Sequence, residues 1–316
     1  MILTFTPNPS VDRTVEVDAL VHGAVLRATG SRVDPGGKGV NVSRALAAAG
    51  GKTRAVLPSG GSEGLQLAAL LEREGIDLVP VAIAGAVRAN VTVVEPDGTT
   101  TKLNELGPEV AGDEAAALVR AVRDEAAGSS VDWVACCGSL PRGLADSFYA
   151  DLVRALSGSG VRVCIDSSGA PLLAALDAGP DLVKPNVEEL AEATGRRIRT
   201  IGDAVTAAED LRARGVGAVL ASLGADGALL VDDEGCTHGE AAVAAPRSTV
   251  GAGDALLAGF LSAGGSGARA LREGLAWGAA AVSLPGSRMP TPADLDHSSV
   301  RLHPSVDPTR PLEGQS

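Results

Sequence analysis

The sequence predicts an α/β fold in which a central, mostly parallel β-sheet is flanked by helices, with a small second β-sheet beside it. Three observations predict it. Short apolar runs rich in β-branched residues alternate with longer segments whose apolar residues recur at helical spacing. Repeated strand, helix, strand order calls for a parallel sheet covered on both faces. Two stretches, about 12–34 and 88–106, break this rhythm and alternate like half-exposed strands.

The strand-like runs, in order, are "ILTFT" at the start, "TRAVL" at 53–57, "VDWVACC" at 131–137, "VRVCID" at 161–166, "DLVK" at 181–184 and "VGAVLAS" at 216–222. Between them, "DEAAALVRAVRDEAA" (113–127) and "IGDAVTAAEDLRARG" (201–215) put apolar residues on one helical face and charges on the other. The turn Pro96-Asp97-Gly98 joins two strands within the second irregular stretch. From about Pro285 the chain is rich in Pro, Ser and Asp, which reads as a loosely held tail.

Composition narrows the function. A chain of 316 residues can bury a sizeable core. A formal charge of -12 with 2% aromatic residues supplies neither a phosphate-neutralising field nor a stacking platform, so a nucleic acid is not the expected partner. The N-terminal "MILTFTPNPSVD" does not read as a signal peptide, and no apolar run reaches the roughly 18 residues of a membrane span, so a cytoplasmic location and no membrane partner are expected. Cys136, Cys137, Cys164 and Cys236 lack metal-site spacing, which points to reduced thiols and no structural zinc.

One stretch carries chemistry more than any other. In "STVGAGDALLAGF" (248–260) an extended segment ends at Thr249, and a helix follows that stops at Gly264-Gly265. Gly251, Ala252 and Gly253 would leave backbone N–H groups open at the helix start, a docking place for phosphate oxygens or for developing negative charge. Asp254 beside it could take a proton from an attacking hydroxyl. Two other readings fit this segment alone: Asp254 as a helix cap, and a dinucleotide loop in which Leu256 replaces the third glycine and Glu273 stands as the later acid.

"DPGGKGVNVSRALAAAG" (34–50) sets Gly36, Gly37 and Gly39 around Lys38 before a helix from about Val40. It is not a P-loop, because Gly39 follows Lys38 where Ser or Thr is required. "KPNVEEL" (184–190) reads as a capped helix start, and "SLPRG" as a loop at a strand end, where open α/β sheets bind ligands.

The motifs "NPSVD", "GGKGVN", "CGSLPRG", "KPNVEEL", "SLGADGALL" and "TVGAGDAL" occur in that order along the chain. Together they resemble the ribokinase-like, phosphofructokinase B family of carbohydrate kinases, from the first strand to about residue 290. "NPSVD", "RANV" and "LNELGPE" are most similar to the branch that acts on fructose 1-phosphate and tagatose 6-phosphate. The resemblance implies one kinase domain over 1–290, with a β lid from about 12–34 and 88–106, and a polar, Pro-rich tail over 291–316. It also implies a homodimer formed through the lid.

By the same resemblance, Asp254 is the catalytic base, and Gly251, Ala252 and Gly253 form the anion hole. Asp12, Gly36, Gly37, Asn41 and Ser139 face the sugar. Lys38, Arg88 and Lys102 grip the phosphate the substrate already carries, with Arg27 and Arg142 as lesser candidates. Lys184, Asn186, Glu189 and the loop Ser222, Leu223, Gly224, Ala225, Asp226 and Gly227 serve ATP, together with Gly253. Magnesium enters with ATP and meets Glu189 indirectly. The implied reaction converts fructose 1-phosphate and ATP to fructose 1,6-bisphosphate and ADP. Tagatose 6-phosphate or fructose 6-phosphate as acceptor, an unphosphorylated sugar or nucleoside, and a non-catalytic sugar-phosphate sensor are the alternatives.

Overall fold

The computed structural model describes residues 1–313 apart from 129 and 304. The chain opens with β1 (Ile2–Phe5), β2 (Ser10–Glu16), β3 (Gly30–Gly36), α1 (Lys38–Ala48), β4 (Thr53–Ser59), α2 (Gly61–Arg73) and β5 (Asp77–Ala82). Then come β6 (Arg88–Val94), β7 (Thr100–Leu103), α3 (Gly112–Ala126), β8 (Trp133–Cys137), α4 (Phe148–Leu156), β9 (Arg162–Asp166) and α5 (Gly169–Leu176). The remainder is β10 (Leu182–Val183), α6 (Val187–Thr194), α7 (Ile201–Ala213), β11 (Ala218–Ser222), β12 (Ala228–Asp232), β13 (Gly235–Ala241), α8 (Ala252–Ser262), α9 (Gly267–Val282) and β14 (Val300–His303).

Ten strands form the main sheet in the order β14-β13-β12-β11-β10-β9-β8-β1-β4-β5. Strands β11 through β5 in that order are parallel, and β12, β13 and β14 extend the sheet antiparallel. The parallel strands read as unbroken apolar runs because both their faces are covered. Successive side chains point to opposite layers. Leu3, Phe5, Val134, Cys136 and Ile165 pack on the α3, α4, α5 side, whereas Ile2, Trp133, Ala135, Cys137 and Cys164 pack against α1, α8 and α9. The neighbouring thiols of Cys136 and Cys137 therefore serve different layers, each fully buried. Burying a side chain such as Phe5 or Leu3 stabilises the fold by about 1.5–3 kcal/mol.

The two irregular stretches form a separate four-stranded sheet, ordered β3-β2-β6-β7, with β2 and β6 parallel and the outer pairs antiparallel. Helix α1 starts at Lys38, two residues before the expected Val40. Gly37 at φ 119 makes the turn into it. Gly39 is required by close approach: a Cβ there would lie 2.4 Å from Thr6 Oγ1. Among the described residues no helix is long and apolar enough to cross a membrane.

The segment expected as a loose tail is instead built into the domain. Strand β14 pairs with β13, and Leu312 and Val300 are buried. The chain then crosses the start of α7, where Gly202 N–H donates to Pro308 O at 3.1 Å and Leu312 N–H to Arg199 O at 2.8 Å. Polar composition misleads here because backbone pairing and one buried leucine, not an apolar stripe, hold the segment. Its Arg310 reaches the turn after β11, with one guanidinium nitrogen 3.2 Å from Asp226 Oδ1 and 2.8 Å from Glu240 Oε2. Arg310→Ala should lower the unfolding free energy by about 1–3 kcal/mol, less than the roughly 3–5 of a fully buried pair because Arg310 is partly open to solvent. A urea midpoint equal to that of the parent chain would show that this clamp carries no stability.

Candidate active site

The parallel strands end together, and so do the helix starts that follow them. Asp166 closes β9 beside Cys137 of β8, and Lys184 follows β10 with its N–H on Ile165 O at 3.0 Å. This carboxyl-end edge of an open α/β sheet is where ligands bind.

Helix α8 begins from Gly251, whose φ of 77 is available to glycine without strain. Ala252 donates its N–H to Thr249 O at 3.3 Å and Ala255 to Gly251 O at 2.8 Å; among the described residues Gly253 and Asp254 give theirs to no carbonyl. The N–H of Gly251 likewise meets no carbonyl among the described residues, so three helix-start amides remain for a ligand, while Ala252, expected among them, is already engaged. Asp254 does not cap the helix. Its carboxylate is buried and accepts from Asn41 Nδ2 at 2.8 Å. Burial, then the charge of Asp166, pushes its pKa up to about 6 against the pull of Lys184, Asn41 and Lys38.

Asp166 joins the pieces. It is fully buried, with Lys38 Nζ 2.7 Å from Oδ1 and Lys184 Nζ 3.0 Å from Oδ2. Lys184 lies off the hydrogen-bonding direction, so Oδ2 has a charge partner but no hydrogen bond among the described residues. Burial alone would raise Asp166, but Lys184 and Lys38 outweigh it and hold the acid below its ordinary value. For both lysines burial works downward and Asp166 wins, so each stays charged. Lys38 also meets Glu189 Oε1 at 3.2 Å. A Cβ on Gly253 would come 3.5 Å from Lys184 Nζ, so this ammonium faces the α8 turn.

Lys38 therefore has different neighbours from those expected. It stands with Asp166 and Glu189 at the main-sheet edge, while Arg88 and Lys102 lie on the smaller sheet. As the first residue of α1 it points across the strand ends, where two carboxylates hold it. Asn186 and Glu189 form a reciprocal cap on α6: Glu189 N–H donates to Asn186 Oδ1 at 2.7 Å, and Asn186 N–H to Glu189 Oε2 at 2.9 Å. Glu189 thus caps α6 with one oxygen and carries Lys38 with the other. Asn186 bridges Ser222, which aligns the turn of Leu223, Gly224, Ala225, Asp226 and Gly227 with α6. The Asp226 carboxylate is committed to Arg310 and to Glu313 N–H, so the turn offers a ligand its backbone at exposed Gly224 and Ala225.

Across the edge, Asp12 Oδ1 of β2 accepts from Ser10 Oγ at 2.7 Å and from Asn90 Nδ2 at 2.9 Å. A Cβ on Gly36 would fall 2.3 Å from Asp12 Oδ2, so that position must stay bare; Gly37 follows at the turn. Arg88 opens β6 and donates to Glu105 O at 3.0 Å and Asn8 O at 3.1 Å, while its buried Nε has no partner among the described residues. Burial lowers its pKa, with Asp12 and Glu105 opposing. It lines a cleft of about 470 Å³ with Arg142, Glu63, Glu105 and Leu106. Ser139 receives a hydrogen bond from Asn8 Nδ2 at 3.3 Å; Lys102 and Arg27 are exposed.

Residues 6–294 match the pfkB family carbohydrate kinase. The chain belongs to that family. This pfkB kinase is 40% identical over 299 residues to a 1-phosphofructokinase of Haloferax volcanii, covering 93% of this chain and 95% of that protein. It is 39% identical to a 1-phosphofructokinase of Rhodobacter capsulatus, over 93% of this chain and 94% of the relative. The crystal structure of phosphofructokinase-2 from Escherichia coli in complex with potassium superposes with a TM-score of 0.86 at 33% identity, covering 93% and 96% of the two chains. As a pfkB kinase the chain is a phosphotransferase that uses ATP and an alcohol acceptor.

Sequence reasoning passed over Asp166, although an acid ending "VCID" at a parallel-strand terminus was a usable signal. Asp166→Asn should leave buried Lys184 and half-buried Lys38 without their shared anion, costing up to about 3–5 kcal/mol of folding free energy. It should also lower the Asp254 pKa from about 6, because a negative neighbour is lost and both lysines are freed. Carboxyl NMR and denaturant titration read the two effects, and a raised Asp254 pKa would contradict this electrostatic account.

Proposed function

We propose that this pfkB kinase transfers the γ-phosphoryl group of ATP to the C6 hydroxyl of fructose 1-phosphate, yielding fructose 1,6-bisphosphate and ADP. One observation carries the reading: a buried carboxylate, Asp254, stands beside unclaimed helix-start amides and is tuned to about 6. At neutral pH it is mostly ionised, yet basic enough to accept a proton.

Asp12 and Asn41 hold the sugar hydroxyls, with Gly36, Gly37 and Ser139 along the sugar, and Arg88 holds the existing phosphate, helped by Lys102. Asp254 takes the C6 hydroxyl proton as that oxygen bonds to the γ-phosphorus. The bond from phosphorus to the bridging β,γ-oxygen breaks, and its electron pair leaves with ADP. The N–H groups of Gly253 and Asp254 and the ammonium of Lys184 face the equatorial oxygens, where charge gathers. Little covalent help is needed, so alignment carries most of the rate.

Among the described residues no three His, Cys, Asp or Glu side chains gather to hold a metal, and Glu189 already carries Lys38 and the Asn186 N–H. A magnesium ion would therefore be brought by ATP, with Glu189 the residue that would reach it indirectly. Such an ion neutralises phosphate charge.

The reading includes pairing of two copies through the smaller sheet, whose β2–β3 connection exposes Leu20, Val21 and Val25, with Leu103 exposed on β7. It also includes a cytoplasmic setting, where ATP is made.

Asp254→Ala should lower kcat by about 10²–10⁴-fold while ATP still binds. For the parent chain, kcat should be flat above pH 7 and fall about tenfold per unit below pH 6, because protonation disables the base. Near-normal turnover of the alanine variant would remove the assignment. Arg88→Ala should raise KM for fructose 1-phosphate at least tenfold and leave KM for ATP within twofold; equal effects on both would take Arg88 out of the sugar site. An ADP-release screen over fructose 1-phosphate, fructose 6-phosphate, tagatose 6-phosphate and fructose tests the acceptor.

A further inference from the structure

Arg44 of α1 is itself assigned no contact with substrate, yet it is nearly sealed from solvent at 6% exposure. Its Nε donates to Glu74 Oε2 at 2.8 Å, at the end of α2. One terminal nitrogen meets three carbonyl oxygens from three places: Pro35 O of β3 at 3.4 Å, Asn41 Oδ1 of α1 at 3.4 Å, and Ser287 O of the turn after α9 at 3.3 Å. Each contact is long, but their convergence confines the guanidinium.

The contact with Asn41 has a chemical consequence. Arginine only donates, so the Asn41 oxygen must face it. The amide nitrogen is then turned the other way, toward Asp254 Oδ2, at 2.8 Å. A flipped amide would set its oxygen against the carboxylate, a repulsive contact that ionisation makes worse. The Ser287 turn also touches both working halves of the molecule. A Cβ on Gly286 would lie 2.2 Å from an Arg32 nitrogen of β3, and Met289 Cε would lie 3.1 Å from a Cβ on Gly251.

We propose that Arg44 is a positioning residue for Asp254: it locks the Asn41 amide in the donating orientation and ties that orientation to β3 and to the turn behind Gly251. The proposal rests on Asp254 being the base. Asn41 supplies a hydrogen bond that favours the ionised form, so its loss moves the Asp254 titration upward. The other groups facing Asp254 are Lys38 on α1, Asp166 ending β9, Lys184 after β10 and the buried, neutral Cys137 ending β8. Helix α9 meets α8 through Gly274 and Gly278, without charge.

The test uses Arg44→Met, which keeps an apolar stem, Arg44→Lys, which keeps the charge at a single point, and Glu74→Gln, which leaves the guanidinium nitrogen among its carbonyls. The Asp254 carboxyl is titrated by NMR in the unliganded protein, assigned by its loss in Asp254→Asn, and kcat and both KM values are followed against pH. The expected result is an upward shift of about one pH unit in both Arg44 variants, with kcat near pH 6 reduced roughly three- to tenfold, KM for ATP within twofold, and no shift in Glu74→Gln. An unmoved Asp254 titration in folded Arg44→Met overturns the proposal, as does full restoration by Arg44→Lys, which would reduce the effect to charge. Loss of the fold in both Arg44 variants would also overturn it, making the residue structural. Retained turnover in Asp254→Asn would sink the base assignment alone, because the NMR shift still reports whether Arg44 orders that carboxylate's surroundings.

Discussion

A single fully buried carboxylate, Asp166, organises the carboxyl-end edge of the main sheet. Taking it out of water is unfavourable, and only the ammonium groups of Lys38 and Lys184 make its ionised form tolerable there. The cation from the start of α1 and the one after β10 are consequently held a fixed distance apart. Asp254 on α8 is raised first by its own burial and then by this same anion, so Asp166 both places two cations and adds to the tuning of the acid opposite them. Such pairs contribute little net stability compared with apolar packing. Their effect is on arrangement.

Topology explains how residues more than 200 positions apart come to cooperate. The start of α6 follows parallel strand β10, that of α1 follows β3 of the smaller sheet and that of α8 comes after β13, yet all three meet at one edge, and each helix start brings unsatisfied amides with it. The edge is used differently at each place. At α6 the chain satisfies its own amides through the Asn186 and Glu189 box; at α8 it leaves Gly253 and Asp254 open. An open amide in a partly enclosed place is unfavourable unless a ligand completes it, which distinguishes a working helix start from a structural one. The smaller sheet stands apart because the chain leaves the main sheet after β1, and on its return to α1 Gly36 lies bare against Asp12 and Gly37 against Thr6.

Much of this was legible in the linear pattern. Apolar runs such as "VDWVACC" marked strands covered on both faces, and the irregular stretches at 12–34 and 88–106 became one independent sheet. The Gly-Ala-Gly-Asp turn announced a helix start with an acid in its first turn. Asp166 and Arg44 escaped notice because nothing local distinguishes them: an acid ending a strand and an arginine within a helix are ordinary until their neighbours are known. Lys38 was legible as a motif residue but not by its partners, since a flexible four-carbon stem can turn toward either sheet. The C-terminal segment was misread because its order comes from pairing with β13 and from Arg310 at Asp226, contacts to residues far back in the chain.

The sequence by itself determined the layered α/β plan, the turn chemistry at Gly37 and Gly251, and the presence of an acid in the first turn of a helix, because periodicity, glycine freedom and capping are local properties of the chain. Tertiary structure alone decided which charges meet. Only when β9, α1, α6 and α8 converge do Lys38 and Lys184 share Asp166 and does Asn41 turn its amide to Asp254, since burial and Coulomb interaction depend on distances that no local stretch contains.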